Sequence, residues 1–139
     1  MYLNVEINYC LNLSFDDLQK YAAENYQKVY RHISSTYEKE KATTLLISSL
    51  FTCIASDRNF SDLEWKFISR FVGGYTYEEA LDMANQFCCK EAQNITSDLA
   101  KIFPSNIRDA FVCFCIAVLA VDKRLENTEI NFLGKLLDN

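Results

Sequence analysis

The sequence predicts an all-α domain of two three-helix units related by a pseudo-two-fold axis, preceded by a short N-terminal β-strand. Of the 139 residues, half are apolar, but only three are glycine and one is proline. This shortage of chain breakers favours long helices over turn-rich β folds. After the first thirteen residues the apolar positions recur with a helical period, and one acidic pattern occurs twice.

The first thirteen residues alternate between apolar and polar side chains. This period of two is typical of a half-buried strand, so we treat residues 1–13 as an extended arm outside the domain. A lone strand leaves backbone polar groups unpaired. We therefore hypothesise a homodimer in which residues 1–13 of two copies pair as an antiparallel ribbon. The apolar positions are Leu3, Val5, Ile7, Tyr9, Leu11 and Leu13.

Capping signals define the helices of the single domain, residues 14–139. Ser14 is a suitable N-cap residue, and Thr76 with Glu79 has the spacing of a capping box. Pro104 marks a boundary between two helices. We expect helices over residues 14–35, 37–55, 63–72, 77–102, 106–121 and 128–137, the fourth bent near Asn94.

An acidic segment occurs twice, as DRNFSDLE at residues 57–64 and as DKRLENTE at residues 122–129. We call each segment an elbow, because each follows a dense apolar helix and opens the next one. A shift of 65 positions superimposes the elbows and the helices before them. From this shift we infer two repeat units, about residues 14–74 and 76–139. Each unit is too small to bury its apolar faces alone. The identical pairs are Ala55 and Ala120, Asp57 and Asp122, Glu64 and Glu129, and Phe67 and Phe132.

The doubled elbow resembles the tellurite-resistance protein B-like (TerB-like) domains, which are small all-helical bacterial domains. The likeness covers residues 43–139, and residues 14–35 more loosely. It implies a non-enzymatic binding or stress-response module, for example in tellurite resistance, whose acidic elbow surface binds a partner or a cation. The family usually has Gly after each elbow Asp, where this chain has Arg58 and Lys123. The matching residues are Ala55, Asp57, Phe60, Glu64, Ala120, Asp122, Leu125 and Glu129.

Four carboxylates, two from each elbow, form the candidate metal site, because carboxylate oxygens suit hard divalent cations. In the structural alternative, Ser61-x-x-Glu64 is a capping box and the elbow aspartates accept turn N–H groups. Arg58 and Lys123 set positive charges beside the site. We therefore expect weak divalent cation binding at most, and no other cofactor. The four residues are Asp57, Glu64, Asp122 and Glu129.

Three aromatic side chains are candidates for contact with a protein partner. Trp65 falls outside the main apolar stripe of its helix, and large aromatic residues often anchor partners. Tyr26 and Tyr30 follow helical spacing and would share one face. The alternative is helix packing for Trp65 and the edge of the core for both tyrosines.

The six cysteines are expected to be reduced thiols with structural roles. Cys113 and Cys115 are close enough in sequence to suggest a metal site. Side chains at i and i+2 of a helix, however, point about 200° apart. They therefore cannot ligate one ion together. The C-x2-C spacing of zinc sites is absent from the sequence.

The net charge of −5 and the lack of a basic cluster argue against nucleic-acid binding. The N-terminus lacks a signal peptide, and the longest apolar run, residues 110–121, is shorter than the roughly 20 residues that cross a bilayer. We therefore expect a cytoplasmic protein that binds a protein partner. No nucleophile–base pair or phosphate loop accompanies the carboxylates, so we expect no enzyme. The alternatives are an oligomerising subunit of a larger assembly and a metal-dependent enzyme.

Overall fold

The computed structural model of the chain describes residues 1–54, 61–71, 74–87, 89–123 and 125–137, without the side chains of residues 42–45, 54 and 87. This part of the chain is helical and contains no β-strand. The α-helices are α1 Leu3–Leu11, α2 Phe15–Thr36, α3 Lys39–Ile54, α4 Asp62–Ile68, α5 Tyr77–Phe87, α6 Lys90–Ile102, α7 Ser105–Leu119 and α8 Asn127–Leu137, and a 3₁₀ turn spans Ala120–Asp122.

The predicted N-terminal strand is wrong, because residues 3–11 form the helix α1. The apolar positions of this segment fit the period of a strand and also that of a helix. As a helix, the segment buries Ile7 and Cys10 on one face and exposes Val5 and Tyr9 on the other. A helix satisfies its own backbone polar groups, whereas a lone strand among helices cannot. Packing of α1 against α7 then favours the helix. The hypothesis of a homodimer through paired strands loses its basis.

The caps of α2 and α5 agree with the sequence signals. The Ser14 hydroxyl accepts the Asp17 N–H at 3.2 Å, as an N-cap does. Glu79 Oε1 accepts the Thr76 N–H at 3.0 Å, and the Thr76 hydroxyl accepts the Glu79 N–H at 3.2 Å, which completes the capping box. These side chains satisfy backbone donors that would otherwise lack partners inside the helix.

The predicted helix over residues 77–102 consists of two helices, α5 and α6. The chain leaves the helical conformation at Cys89, whose φ of −119° and ψ of 160° are extended, and not near Asn94. Cysteine is a weak helix former, which agrees with the extended conformation of Cys89. Gly74 precedes α5 with φ of 90°, a conformation that glycine adopts without strain.

Helix α7 is the centre of the fold. All of residues 110–121 are buried, and α1, α2, α3, α4 and α8 pack around this helix. Among the described residues, none of the helices has the length and apolar character that crossing a bilayer requires.

The helix bounds keep the offset of the sequence repeat. Helix α4 begins at Asp62 and α8 begins at Asn127, 65 positions later. Helix α3 ends at Ile54 and α7 ends at Leu119, again 65 positions later. The start of α4 lies against the 3₁₀ turn, and this contact positions the candidate site.

Candidate functional site

The second elbow turns sharply between α7 and α8. The 3₁₀ turn Ala120–Asp122 is followed by Lys123 in the left-handed conformation, with φ of 64°. This conformation costs an L-residue roughly 1–2 kcal/mol, and the Lys123 N–H donates to the Ala120 carbonyl at 2.8 Å. The Lys123 backbone therefore takes a positive φ that glycine would adopt without this cost.

The Lys123 side chain bonds to the backbone of a distant part of the sequence. Its Nζ donates to the backbone carbonyl of Leu13, in the connection between α1 and α2. The contact described for the Lys123 ammonium group is therefore one with a backbone carbonyl and not with a carboxylate.

A side-chain hydrogen bond joins the described end of the first elbow to the second elbow. The Ser61 hydroxyl at the start of α4 donates to Asp122 Oδ2 at 2.8 Å, across 61 positions of sequence. Ser61 is also the N-cap of α4, and its Oγ accepts the Glu64 N–H at 3.1 Å. We call the group formed by Ser61, Glu64, Asp122 and Glu129 the acidic junction.

Glu64 and Glu129 have the same local role in the two repeat units. Glu64 Oε1 accepts the Ser61 N–H at 3.0 Å, which completes the predicted capping box of α4. Glu129 Oε1 accepts the Glu126 N–H at 2.8 Å, three residues earlier at the start of α8. Both side chains are buried, with 4% and 5% of their surface exposed. The structural alternative to metal ligation thus has direct support at both glutamates.

Burial and neighbouring negative charges make the Glu64 carboxyl group difficult to ionise. Burial raises the pKa of its carboxyl group to about 8, and the negative charges of Asp122 and Glu129 act in the same direction. Hydrogen bonds from Ser61 oppose this increase. Glu64 is therefore mostly protonated at neutral pH, and a cation would first have to displace that proton.

Part of the predicted metal site lies outside the described residues, namely Asp57 and, next to it, Ala55, Arg58 and Phe60. Within the described ranges, no group of three or more histidine, cysteine, aspartate or glutamate side chains is arranged to hold a metal ion. The four-carboxylate site with Asp57 therefore stays a prediction. The contacts of Glu64, Asp122 and Glu129 that the structure does describe are those of helix caps and of a bond between the elbows.

The predicted partner-binding aromatic residues are half-buried. Tyr26 and Tyr30 stack with ring centroids 6.0 Å apart on α2. Tyr26 also packs against Phe71 and Phe114, at 5.4 and 5.3 Å, and burial raises the pKa of its hydroxyl group. Trp65 lies on α4 with its side chain partly covered by the core. Tyr26 therefore packs at the edge of the core, and the binding role of the three residues stays a prediction.

The sequence analysis missed a second polar cluster, between α1, α2 and α7. The Tyr21 hydroxyl donates to Glu6 Oε2 at 2.7 Å, and Cys10 and Cys113 are buried on the neighbouring helices α1 and α7. Burial raises the pKa of Cys10 to about 12 and that of Cys113 to about 11. Helical spacing of Glu6 and Cys10 was the signal for this cluster, and the strand interpretation of residues 1–13 concealed it.

Cys113 and Cys115 face different surroundings, as their spacing on a helix requires. The Cys113 thiol donates to the Met1 thioether with 3.5 Å between the sulfur atoms. Cys115 lies fully buried and interacts with Cys53.

The resemblance to TerB-like domains rests on the residues of the two elbows, of which the structure describes the second almost completely. Comparison of the chain with protein-family models, curated proteins and solved structures finds no match.

Proposed function

We propose that the chain is a non-enzymatic, TerB-like binding module and that its acidic junction receives a basic segment of a protein partner. The hydrogen bond from Ser61 to Asp122 carries this proposal, because it joins the two elbows into one surface. In the TerB-like interpretation, the module serves a stress response such as tellurite resistance.

The carboxylates of this surface divide into two groups by exposure. Glu64 and Glu129 are buried and cap α4 and α8, so they hold the shape of the surface. Asp62 and Glu126 are exposed beside them, and Asp122 is half-buried. The exposed carboxylates can attract lysine or arginine side chains without the large cost of burying a charge.

The charge balance supports a basic partner. The chain carries a net charge of −5. Lys123, the lysine of the second elbow, donates to the backbone carbonyl of Leu13. Complementary charges raise association rates and select among partners more than they raise affinity. Binding through this surface should therefore weaken as the salt concentration increases.

The experiment compares proteins captured from an extract of the native host by three forms of the chain. These are the wild type, the junction variant Asp62→Asn/Glu126→Gln, which removes the exposed charges beside the acidic junction, and the control Glu24→Gln/Glu91→Gln with the same change in charge. Glu24 and Glu91 are exposed on α2 and α6. Quantitative mass spectrometry identifies the partner, and titration calorimetry then measures its affinity for each form.

We expect the junction variant to bind the partner about tenfold more weakly, since two rim charges at up to 1 kcal/mol each give roughly 1.4 kcal/mol together. The control variant should keep the wild-type affinity. Equal binding by the junction variant and the wild type would contradict the proposal, and so would an equal loss in the control.

A further inference from the structure

We propose that a cavity between α2 and the end of α4 binds the carboxyl-terminal end of a peptide chain. Its volume of about 370 Å³ lies in the range of pockets that bind small ligands. We call it the Gln19 cavity. It is separate from the acidic junction and has no part in the function proposed above. The cavity is lined by Asp16, Gln19, Lys20 and Ala23 of α2 and by Arg70 and Phe71, which follow α4.

The side chain of Gln19 is buried and its amide group is unpaired. It is 5% exposed, and neither Nε2 nor Oε1 has a hydrogen-bond partner within the part of the chain that the structure describes. Buried polar groups are nearly always paired, because an unpaired one loses its bonds to water without replacement. The amide can donate to and accept from a ligand in the cavity that Gln19 lines. Rotation about the terminal bonds of the side chain turns the amide towards such a ligand, while α2 stays in place.

The polar groups of the Gln19 cavity match the end of a peptide chain. A carboxamide accepts from a peptide N–H and donates to a peptide carbonyl, so the Gln19 amide complements the last peptide group. Lys20 and Arg70 are exposed side chains of the same lining. A guanidinium group binds a carboxylate through two parallel hydrogen bonds, so Arg70 suits the terminal carboxylate.

The charge of the lining favours a carboxylate over a phosphate group. Lys20 and Arg70 carry two positive charges and Asp16 carries one negative charge, which leaves a net charge of +1. One terminal carboxylate balances this charge, whereas a phosphate group carries up to about two negative charges and leaves an excess. Asp16 lies three positions before Gln19 on the same face of α2, where it can accept a peptide N–H farther from the end.

An apolar wall completes the Gln19 cavity. Phe71 is half-buried, and its ring packs against those of Tyr26 and Phe114, with 5.4 Å between centroids in each pair. These contacts hold the ring in place, and the small side chain of Ala23 also lines the cavity. The wall suits an apolar side chain on the last residue of the peptide, because binding then removes apolar surface from water.

The first experiment follows the side-chain amide signals of Gln19 by NMR in the full chain labelled with ¹⁵N. The probe is a pool of acetylated tripeptides that vary in the apolar residue at a free carboxyl end. The same pool with amidated ends is the matched control, and inorganic phosphate is a second control. We expect the Gln19 signals to shift with the free acids only. Unchanged signals with the free acids, or equal shifts with either control, would overturn the proposal.

The second experiment separates binding from folding with Gln19→Leu. Leucine has a similar volume and no unpaired amide, so this variant should unfold at a higher urea concentration than the wild type. Its affinity for the free-acid tripeptide that shifts the signals most should fall about tenfold or more, because both hydrogen bonds to the peptide group are lost. Wild-type affinity, or unfolding at a lower urea concentration, would contradict the role given to the amide.

The third experiment tests the carboxylate contact with Arg70→Gln, and Arg31→Gln is the control. Arg31 is exposed on α2 and does not line the cavity. Titration calorimetry with the same tripeptide should show binding about tenfold weaker for Arg70→Gln, because a hydrogen-bonded charge pair is lost. Arg31→Gln should retain the wild-type affinity. Equal affinities of the two variants would show that the peptide end does not contact Arg70, and the proposal would fail.

Discussion

Glu64 has two roles that oppose each other at the scale of a single residue. As the third residue of α4 it accepts the Ser61 N–H and so stabilises the start of the helix. As a buried carboxyl group near Asp122 and Glu129 it is difficult to ionise. The protonated form resolves the conflict, because a neutral carboxyl oxygen still accepts the N–H and carries no buried charge.

This raised pKa predicts that the protein loses stability as the pH rises. Folding raises the pKa of Glu64 from 4.5 to about 8, so the folded chain binds this proton more tightly than the unfolded chain. The stabilisation is complete below pH 4.5 and is lost as the pH increases through about 8. At about 1.4 kcal/mol per unit, Glu64 contributes a few kcal/mol to this dependence. Urea denaturation at several pH values measures it.

The matched variants are Glu64→Gln and Glu79→Gln, since Glu79 has the same position in the capping box of α5 but is exposed. Glu64→Gln should flatten the fall in unfolding free energy between about pH 5 and 8. Glu79→Gln should leave the slope of the wild type unchanged. A slope in Glu64→Gln equal to that of the wild type would mean that another group titrates.

Sequence spacing predicted the cap made by Glu64, because a capping box is a local motif. It could not predict the bond from Ser61 to Asp122, whose partners are 61 positions apart and meet only through packing. Whether a carboxylate has a normal or a raised pKa likewise depends on burial. The cap formed by Glu64 in the first elbow was therefore predictable, and its raised pKa was not.

At the scale of helices, prediction succeeded where capping signals were strong. The starts of α2 and α5 agree with Ser14 and Thr76, and α8 begins one residue before the expected position. It failed at residues 1–13, because a short segment satisfies the periods of strand and helix equally well. Only the burial of Ile7 and Cys10 against α7 distinguishes the two.

Helix α7 should be the most protected element in hydrogen exchange, since its last ten residues are buried on all sides. Ile116→Ala should lower the free energy of unfolding by about 2–5 kcal/mol, because the side chain is fully buried and leaves a cavity. Ile102→Ala, on α6, is the matched control at a position that is 65% exposed. It should cost less than about 1 kcal/mol. Similar costs for the two variants would contradict the central position of α7.

At the scale of the whole molecule, the acidic junction links the two predicted repeat units. Helix α4 belongs to the first unit and the 3₁₀ turn to the second. A buried glutamate accepts a backbone N–H at the start of the helix in each unit, Glu64 at α4 and Glu129 at α8. A repeat unit of this size cannot bury its apolar faces alone, so contacts between the units are part of one cooperative fold. The Ser61–Asp122 bond is such a contact, outside the apolar core.

A double-mutant cycle on Ser61→Ala and Asp122→Ala should therefore give a coupling energy of about 1–2 kcal/mol. A hydrogen bond to a charged group contributes about that much, and the half-buried position of both side chains keeps it from being larger. The cycle removes the separate cost of losing the Ser61 cap, because that cost appears in both backgrounds. Urea denaturation of the four proteins at neutral pH measures the coupling.

The control cycle pairs Asp122→Ala with Thr76→Ala, which removes the other hydroxyl cap of a capping box. The Thr76 hydroxyl bonds within its own turn, so the two effects should add to within roughly 0.3–0.5 kcal/mol. Additivity in both cycles would mean that the elbows touch without stabilising each other, and the acidic junction would then be two separate caps. Coupling confined to the Ser61 cycle is the result expected if one bond holds the two elbows in a single surface that a partner can recognise.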